Sequence, residues 1–273
     1  MHSNSITVVK RDGSYDNLDL AKIRKAINWG LTGLDLNPLE LESALNLVFR
    51  DGISTEEIQQ NLIHTALNLI GSPSDSNFLD NTQWAVAAAR YYLMDMYKKA
   101  CQNRDVSHFG YGQDFYQYLR KSINLGVYTD KSLITSYTKE EIRHLGFHID
   151  QKYDMLLDYT AAYSAMTKEC RTYEGKPWEL IQERLMVGAM QQFKDWDKKS
   201  RISMVLKYYT NWASLYISPA TPTATGLGDD NLNLSSCFTM ALLPQQKKAV
   251  GLCCRELFGM VGYQNESVVL KVA

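Results

Sequence analysis

Val8-Val9-Lys10-Arg11-Asp12-Gly13-Ser14, followed by Leu18-Asp19-Leu20-Ala21-Lys22-Ile23-Arg24, is the stretch that sets the fold. Ile6 to Lys10 is a short β-prone run. Arg11 to Ser14 is a turn, because Asp12 can bond the backbone just ahead of it and Gly13 tolerates positive φ. Tyr15 to Leu18 returns as a second strand. Asp19 then caps a helix whose Leu20, Ile23, Ile27 and Leu31 fall on one face. The hairpin sets Lys10 and Arg11 beside its turn, and Lys22 points off the apolar face of the helix.

Working outward, Pro38 opens a second helix running to about Phe49, and Asp51-Gly52 breaks it. Ser54 and Glu57 predict a capping box for a third helix, whose Ile58, Leu62, Ala66 and Leu69 recur at helical spacing. Gly71 to Ser74 reads as a loop. A fourth, Ala-rich helix follows from about Asn77 to Lys99, with Lys98 and Lys99 suited to its C-terminus. The first hundred residues are therefore a β hairpin followed by four amphipathic helices.

That arrangement, with Val8–Ser14 and Leu18–Arg24 as quoted, resembles the ATP-cone domain, a nucleotide-sensing module found at the N-terminus of many ribonucleotide reductases. It covers about residues 6–100. The resemblance implies that Lys10, Arg11, Lys22 and Thr55 surround an allosteric nucleotide, ATP or dATP. Lys and Arg pair with phosphates, and Thr55 at a helix N-terminus adds a hydroxyl beside free N–H groups. One of Lys98 and Lys99 is expected to reach the same ligand. Some relatives carry a His where this chain has Gln59.

Composition is that of an ordinary globular protein: 273 residues, 45% hydrophobic, 22% charged. Lys+Arg 29 against Asp+Glu 30 gives a net charge of −1, which argues against a nucleic-acid or anionic-membrane partner. No apolar run reaches membrane-spanning length, and Met1-His2-Ser3-Asn4-Ser5 does not read as a secretory leader. Cysteines at 101, 170, 237, 253 and 254 form no CxxC pair, so neither a disulfide framework nor a zinc ribbon is expected. A reducing, cytoplasmic setting fits. The histidines 64, 108, 144 and 148 show no metal-ligand spacing, and no metal is expected in this chain.

Residues 101–216 read as a second, mostly helical and aromatic-rich domain. Thr138 and Glu141 mark a capping box. Arg171 to Pro177 reads as a turn between two extended pieces, and Pro177-Trp178-Glu179 starts a helix through Gln182, Arg184 and Met186. A further helix covers about Lys198 to Tyr216. Glu179, Gln182 and Arg184 are given a structural role.

Near the C-terminal end stands Ser218-Pro219-Ala220-Thr221-Pro222-Thr223, then Asn233-Leu234-Ser235-Ser236-Cys237-Phe238. The prolines predict an extended, rigid loop presenting the Thr221 hydroxyl. Leu234 to Leu243 reads as a buried strand carrying Cys237. On the residues alone, a small buried hydrophobe in a strand is the commoner reading of such a cysteine. The pattern resembles the start of the catalytic barrel in the large subunit of class I ribonucleotide reductase. The resemblance implies that Thr221 lies at the substrate phosphate, that Ser236 lines the substrate site, and that Cys237 is half of the thiol pair that reduces the ribose.

Fold and function follow as expectations. The fold is mainly α: an ATP-cone at 1–100 (a four-helix bundle with a small β cap), a helical domain at 101–216, and at 217–242 the truncated start of an α/β ten-stranded barrel. A tail unlike the family occupies 243–273. The second redox cysteine, the radical-bearing cysteine and the paired tyrosines of the family lie beyond the match. The chain is therefore expected to be the N-terminal half of a split ribonucleoside-diphosphate reductase large subunit. Its partners would be a complementing C-terminal chain, a radical-generating small subunit, a thioredoxin- or glutaredoxin-type reductant and a ribonucleoside diphosphate. The competing reading is a non-catalytic nucleotide-sensing regulator or an inactive truncated fragment; the repressor type of ATP-cone protein is disfavoured because paired zinc cysteines are absent.

Overall fold

The computed structural model describes residues 6–45, 50–71, 81–107, 110–218 and 221–230, together with the backbone of 241–242 and 271–272. Among them the chain is mainly helical, with a small β cap at the N-terminal end. Strand β1 (Thr7–Val9) pairs antiparallel with β2 (Tyr15–Asn17), with Val8 opposite Asp16. The turn between them closes as an Asx turn: Asp12 Oδ1 accepts from the Ser14 N–H at 2.9 Å and from its hydroxyl at 2.6 Å. Gly13 takes φ 81° there, a value that favours glycine.

Helix α1 (Leu20–Gly30) starts at Asp19, whose carboxylate accepts from the Ala21 and Lys22 N–H groups. Helix α2 (Pro38–Ala44) has Asn37 as its cap and Pro38 in its first turn. A two-residue strand, β3 (Ile53–Ser54), then joins β1 in parallel, giving the order β2-β1-β3. Hairpin logic cannot find this strand, because its partner lies forty-odd residues away. Val8, Ile53 and Ile58 form a small separate core beneath the cap.

Helix α3 (Thr55–Asn68) follows directly. The Ser54 hydroxyl accepts from the Glu57 N–H at 3.0 Å, so half of the expected capping box is present. The Glu57 carboxylate turns instead to Arg50, at 2.9 and 3.0 Å, because a guanidinium offers it a charge-assisted bond. Helix α4 (Gln83–Arg104) runs five residues past the expected end at Lys99 and stops at Asp105, which takes the left-handed conformation. The extra turn forms because its residues are wanted in the core: Cys101 and Arg104 are both buried.

Helix α1 crosses α4 at very short range. A Cβ on Gly30 would lie 2.1 Å from the Tyr91 ring, and the Tyr91 hydroxyl donates to the Ile27 carbonyl at 3.0 Å. The side chain of Arg90 also reaches back, donating to the Gly30 carbonyl at 3.0 Å and the Thr32 carbonyl at 2.7 Å.

Beyond α4 come α5 (Phe115–Asn124), α6 (Ser132–Thr135), α7 (Lys139–Phe147), a 3-10 turn (Gln151–Leu156) and α8 (Tyr159–Ser164). The Thr138–Glu141 capping box forms in both directions at the start of α7. The hairpin β4 (Thr172–Tyr173) and β5 (Lys176–Pro177) matches the two extended pieces read from the sequence. Helix α9 (Ile181–Gln192) starts four residues later than expected, since Trp178 and Glu179 send their N–H groups to the Arg171 carbonyl and stay in the hairpin base. Helix α10 (Arg201–Ala213) and the short α11 (Thr221–Gly226) complete the helical part. One hydrophobic core runs from Ile27 and Leu31 through Trp84 and Tyr97 to Trp178, Met186 and Leu227.

Thr221 therefore does not sit in an extended loop. Its backbone opens α11 with Pro222 as the second residue, a position where proline loses no intrahelical bond. Ala241–Leu242 pairs in parallel with Lys271–Val272. Cys237, Ser236 and most of the expected Leu234–Leu243 strand lie outside the described residues, as does most of the 243–273 tail.

Candidate functional site

The N-terminal cap, α1, α3 and α4 enclose a cavity of about 240 Å³. The hairpin contributes Lys10 and Asp16, the first turn of α1 contributes Asp19 and Lys22, α3 contributes Thr55 and Gln59, and α4 contributes Lys98. Its remaining wall is apolar, from Val8, Ile23, Ala26, Ile58 and Leu62. Asx-turn geometry and the Asp19 cap fix the first two contributors, and the Ser54 cap fixes the start of α3. Of the four residues expected around a nucleotide, the structure brings Lys10, Lys22 and Thr55 to this cavity.

The fourth, Arg11, does not line it. Its guanidinium pairs with the fully buried Asp95 of α4. Lys99 is also turned to that cluster, meeting Asp95 at 2.9 Å and Glu56 at 2.8 Å, so Lys98 is the lysine that reaches the cavity. Gln59 is held on both ends: its amide donates to the Tyr91 carbonyl at 3.0 Å, and its oxygen accepts from Lys98 Nζ at 3.2 Å.

The cations in the cavity are differently placed. Lys10 Nζ sits 2.8 Å from Asp16, whose hydrogen bond and charge raise the Lys10 pKa and lower that of Asp16. Lys22 is 3.9 Å from both Asp16 and Asp19. These pairs are exposed and worth little, so a stronger anion can displace them. Lys98 has no carboxylate partner among the ion pairs of the described residues. Desolvation, and after it the charge of Arg11, lowers its pKa. One nitrogen of Arg11, Nη1, is buried with no hydrogen-bond partner. Three lysines above an apolar wall suit a ligand with a polyanionic end and a flat, weakly polar end. An anion entering here would pair with the three lysines and offset the repulsion between Lys98 and Arg11, so the residues fit a nucleotide phosphate.

Sequence reasoning missed Asp16 and Asp19 as cavity residues and Asp95 as the partner that holds Arg11 outside the cavity. Asp16 carried a signal, since strand alternation puts it on the same side of the hairpin as Lys10. Asp95 carried none.

At the second candidate site the described residues show only the support. The carbonyl end of α11 is held by two arginines. Arg184 Nε donates to the Ala224 carbonyl at 2.8 Å. Arg171 donates to the Leu227 carbonyl at 3.1 Å and to both Asp229 oxygens, at 2.7 and 3.0 Å. Glu179 and Arg184 are buried within 3.6 Å of each other, and Glu179 accepts from Tyr128 and from the Arg171 N–H at 2.9 Å. The side chain of Thr221, and all of Ser236 and Cys237, lie outside the described residues.

Two further thiols, Cys101 and Cys170, are buried, and burial pushes both pKa values up, the opposite of what a reactive thiolate needs. His144, in the last turn of α7, and His148, which caps that helix, have ring centroids 4.7 Å apart. Among the described residues no group of three His, Cys, Asp or Glu side chains is placed to hold a metal, and no helix is long and apolar enough to cross a membrane.

Residues 6–99 match the family model of the ATP cone domain. The chain is 31% identical over 240 residues to the ribonucleoside-diphosphate reductase subunit alpha of Synechocystis, covering 87% of this chain and 29% of that protein. It is 28% identical over 244 residues to the reductase 1 subunit alpha of Escherichia coli K12, covering 86% and 29%. The subunit alpha of enterobacteria phage T4 is 27% identical over 240 residues, with 85% and 29% covered. The chain thus spans under a third of the length of these curated relatives. Residues 6–99, with their β cap and basic cavity, form an ATP-cone domain, and the chain is homologous to the N-terminal region of ribonucleoside-diphosphate reductase alpha subunits.

Proposed function

We propose that this chain is the N-terminal part of a ribonucleoside-diphosphate reductase alpha subunit and that its ATP-cone binds ATP or dATP as an allosteric effector. The observation that carries the effector reading is the cavity, where Lys10, Lys22 and Lys98 come together beside Thr55 above an apolar wall. Triphosphate oxygens replace the exposed Lys10–Asp16 and Lys22–Asp19 pairs. The apolar wall takes the base, and Gln59 stands where it can meet a polar edge. Isothermal titration of the chain with ATP tests this: micromolar binding, lost by roughly tenfold or more in Lys10→Ala or Lys98→Ala, supports it. Equal affinity in both variants would remove the cavity as the site.

In catalysis, the chain would act with a complementing chain carrying the rest of the barrel and with a radical-generating small subunit, which supplies the radical chemistry. Thr221 and Ser236 would hold the ribonucleoside diphosphate, and Cys237 would give electrons as one of a thiol pair, reset by thiol–disulfide exchange with a small redox protein. The domain pattern follows: the cone at 1–100, a helical body at 101–216, and the barrel entry at 217–242. Support comes from the similarity to alpha subunits and from the two-arginine hold on α11, which makes Thr221 part of a rigid scaffold. In a reconstituted mixture, Cys237→Ser is expected to abolish dithiol-supported turnover while leaving assembly intact; retained turnover would remove the redox role.

A further inference from the structure

Among the described residues, α4 reaches from the cavity to the helical body. Its residue 95 faces the cone and its residues 97 and 104 face the body. Asp95 is fully buried, and its carboxylate is shared by Arg11 of the hairpin, Lys99 one turn on at 2.9 Å, and Gln60 of α3 at 3.4 Å. Two residues later the Tyr97 hydroxyl donates to Asp154. Asp154 also accepts from Tyr111 at 2.7 Å and from the Gln182 amide of α9 at 2.8 Å. The Gln182 oxygen in turn accepts from Tyr209 of α10 at 3.1 Å. At the end of α4, Arg104 makes a two-pronged pair with Glu183 of α9, at 2.7 and 2.5 Å.

Arg11 is the movable part of this chain of contacts. It directly follows Lys10 of the cavity wall, and its Nη1 is buried without a hydrogen-bond partner, yet its one ion-pair partner among the described residues is Asp95. When Arg11 leaves, the Asp95 carboxylate keeps Lys99 and Gln60 but loses its guanidinium, a change in the charge balance of a fully buried group that the elements packed on it must absorb.

We propose that Asp95 reports occupancy of the cone cavity to the body: a polyphosphate draws Arg11 off Asp95, and α4 carries the released constraint through Tyr97 and Arg104 to α9. The idea rests on the effector reading above. It adds that the sensing contact lies outside the cavity, on the far side of Arg11. It follows by linkage that Asp95 opposes binding, since Arg11 must leave it before meeting phosphate.

The test uses the full chain, ATP, and amide hydrogen exchange followed at residues 181–192. In the native chain, ATP is expected to change exchange in this helix. In Asp95→Asn, ATP should bind about fivefold or more tightly, because Arg11 is already free, and the change at 181–192 should be lost. Inorganic tripolyphosphate on the unaltered chain should evoke the same change, and adenosine should not. This arm stands even if the variant fails to fold. Binding unchanged or weakened in Asp95→Asn, an exchange response that persists in it, or a response to adenosine alone would each overturn the proposal. Absence of ATP binding to the unaltered chain would instead overturn the effector reading on which it rests.

Discussion

Asp154 offers the sharpest quantitative prediction. It is fully buried and receives three hydrogen bonds, from Tyr97, Tyr111 and Gln182. Burial is the largest influence on it and outweighs those bonds, so its pKa moves up from an ordinary 3.8 to about 6, with the nearby charge of Glu183 adding to the rise. In the pH interval between those values the folded protein binds a proton that the unfolded chain does not. Stability from this group is therefore greatest on the acid side and falls as pH rises toward 6. Linkage gives a contribution of about 2 kcal/mol near pH 4.5 and close to zero near pH 7. Other carboxylates titrate over the same range, so the measurement is a difference. Urea unfolding is followed for the native chain and for Asp154→Asn across this interval, and the two free energies are subtracted. The difference should fall by about 2 kcal/mol from pH 4.5 to 7 in favour of the variant. A difference that stays flat within error, or one that grows with pH, would refute the reasoning, because it would show that Asp154 is ionised in the fold throughout.

Arg104→Met leaves Glu183 buried without its cation and is expected to cost about 3–5 kcal/mol in chemical unfolding, with much of the loss recovered in the Arg104→Met/Glu183→Leu double variant. Gly30→Ala drives a methyl into the Tyr91 ring, where 2.1 Å is available, and should lower stability by about 1–3 kcal/mol in the same assay. Lys22→Ala removes an exposed cation with only 3.9 Å carboxylate contacts, so it should leave thermal unfolding nearly unchanged while weakening ATP binding several-fold by titration calorimetry.

Much of the helical framework was legible because its signals are local. Asp19, Ser54 and Thr138 announce helix starts through bonds to N–H groups two or three residues ahead, and each does so in the structure. The hairpin was legible for the same reason, since Asp12 and Gly13 make its turn within four residues. Where local signals misled, a distant group had intervened. The Glu57 half of its capping box went to Arg50. The fourth helix passed its lysine-rich stop because Arg104 had a buried partner. The extended form expected at Thr221 gave way to a helix whose carbonyl end two arginines hold.

Three contributors to the cavity, Lys10, Lys22 and Thr55, were readable from the chain alone, because they ride on elements whose starts are locally encoded. Tertiary structure alone decided that Lys98 rather than Lys99 faces the cavity and that Arg11 is held away from it. Those outcomes depend on Asp95, which is 84 residues from Arg11, and on Gln59, which is 39 residues from Lys98. A charge finds such partners only when helices pack, and burial then fixes which pairing survives, since an unpaired ion out of water costs more than any local preference can offset.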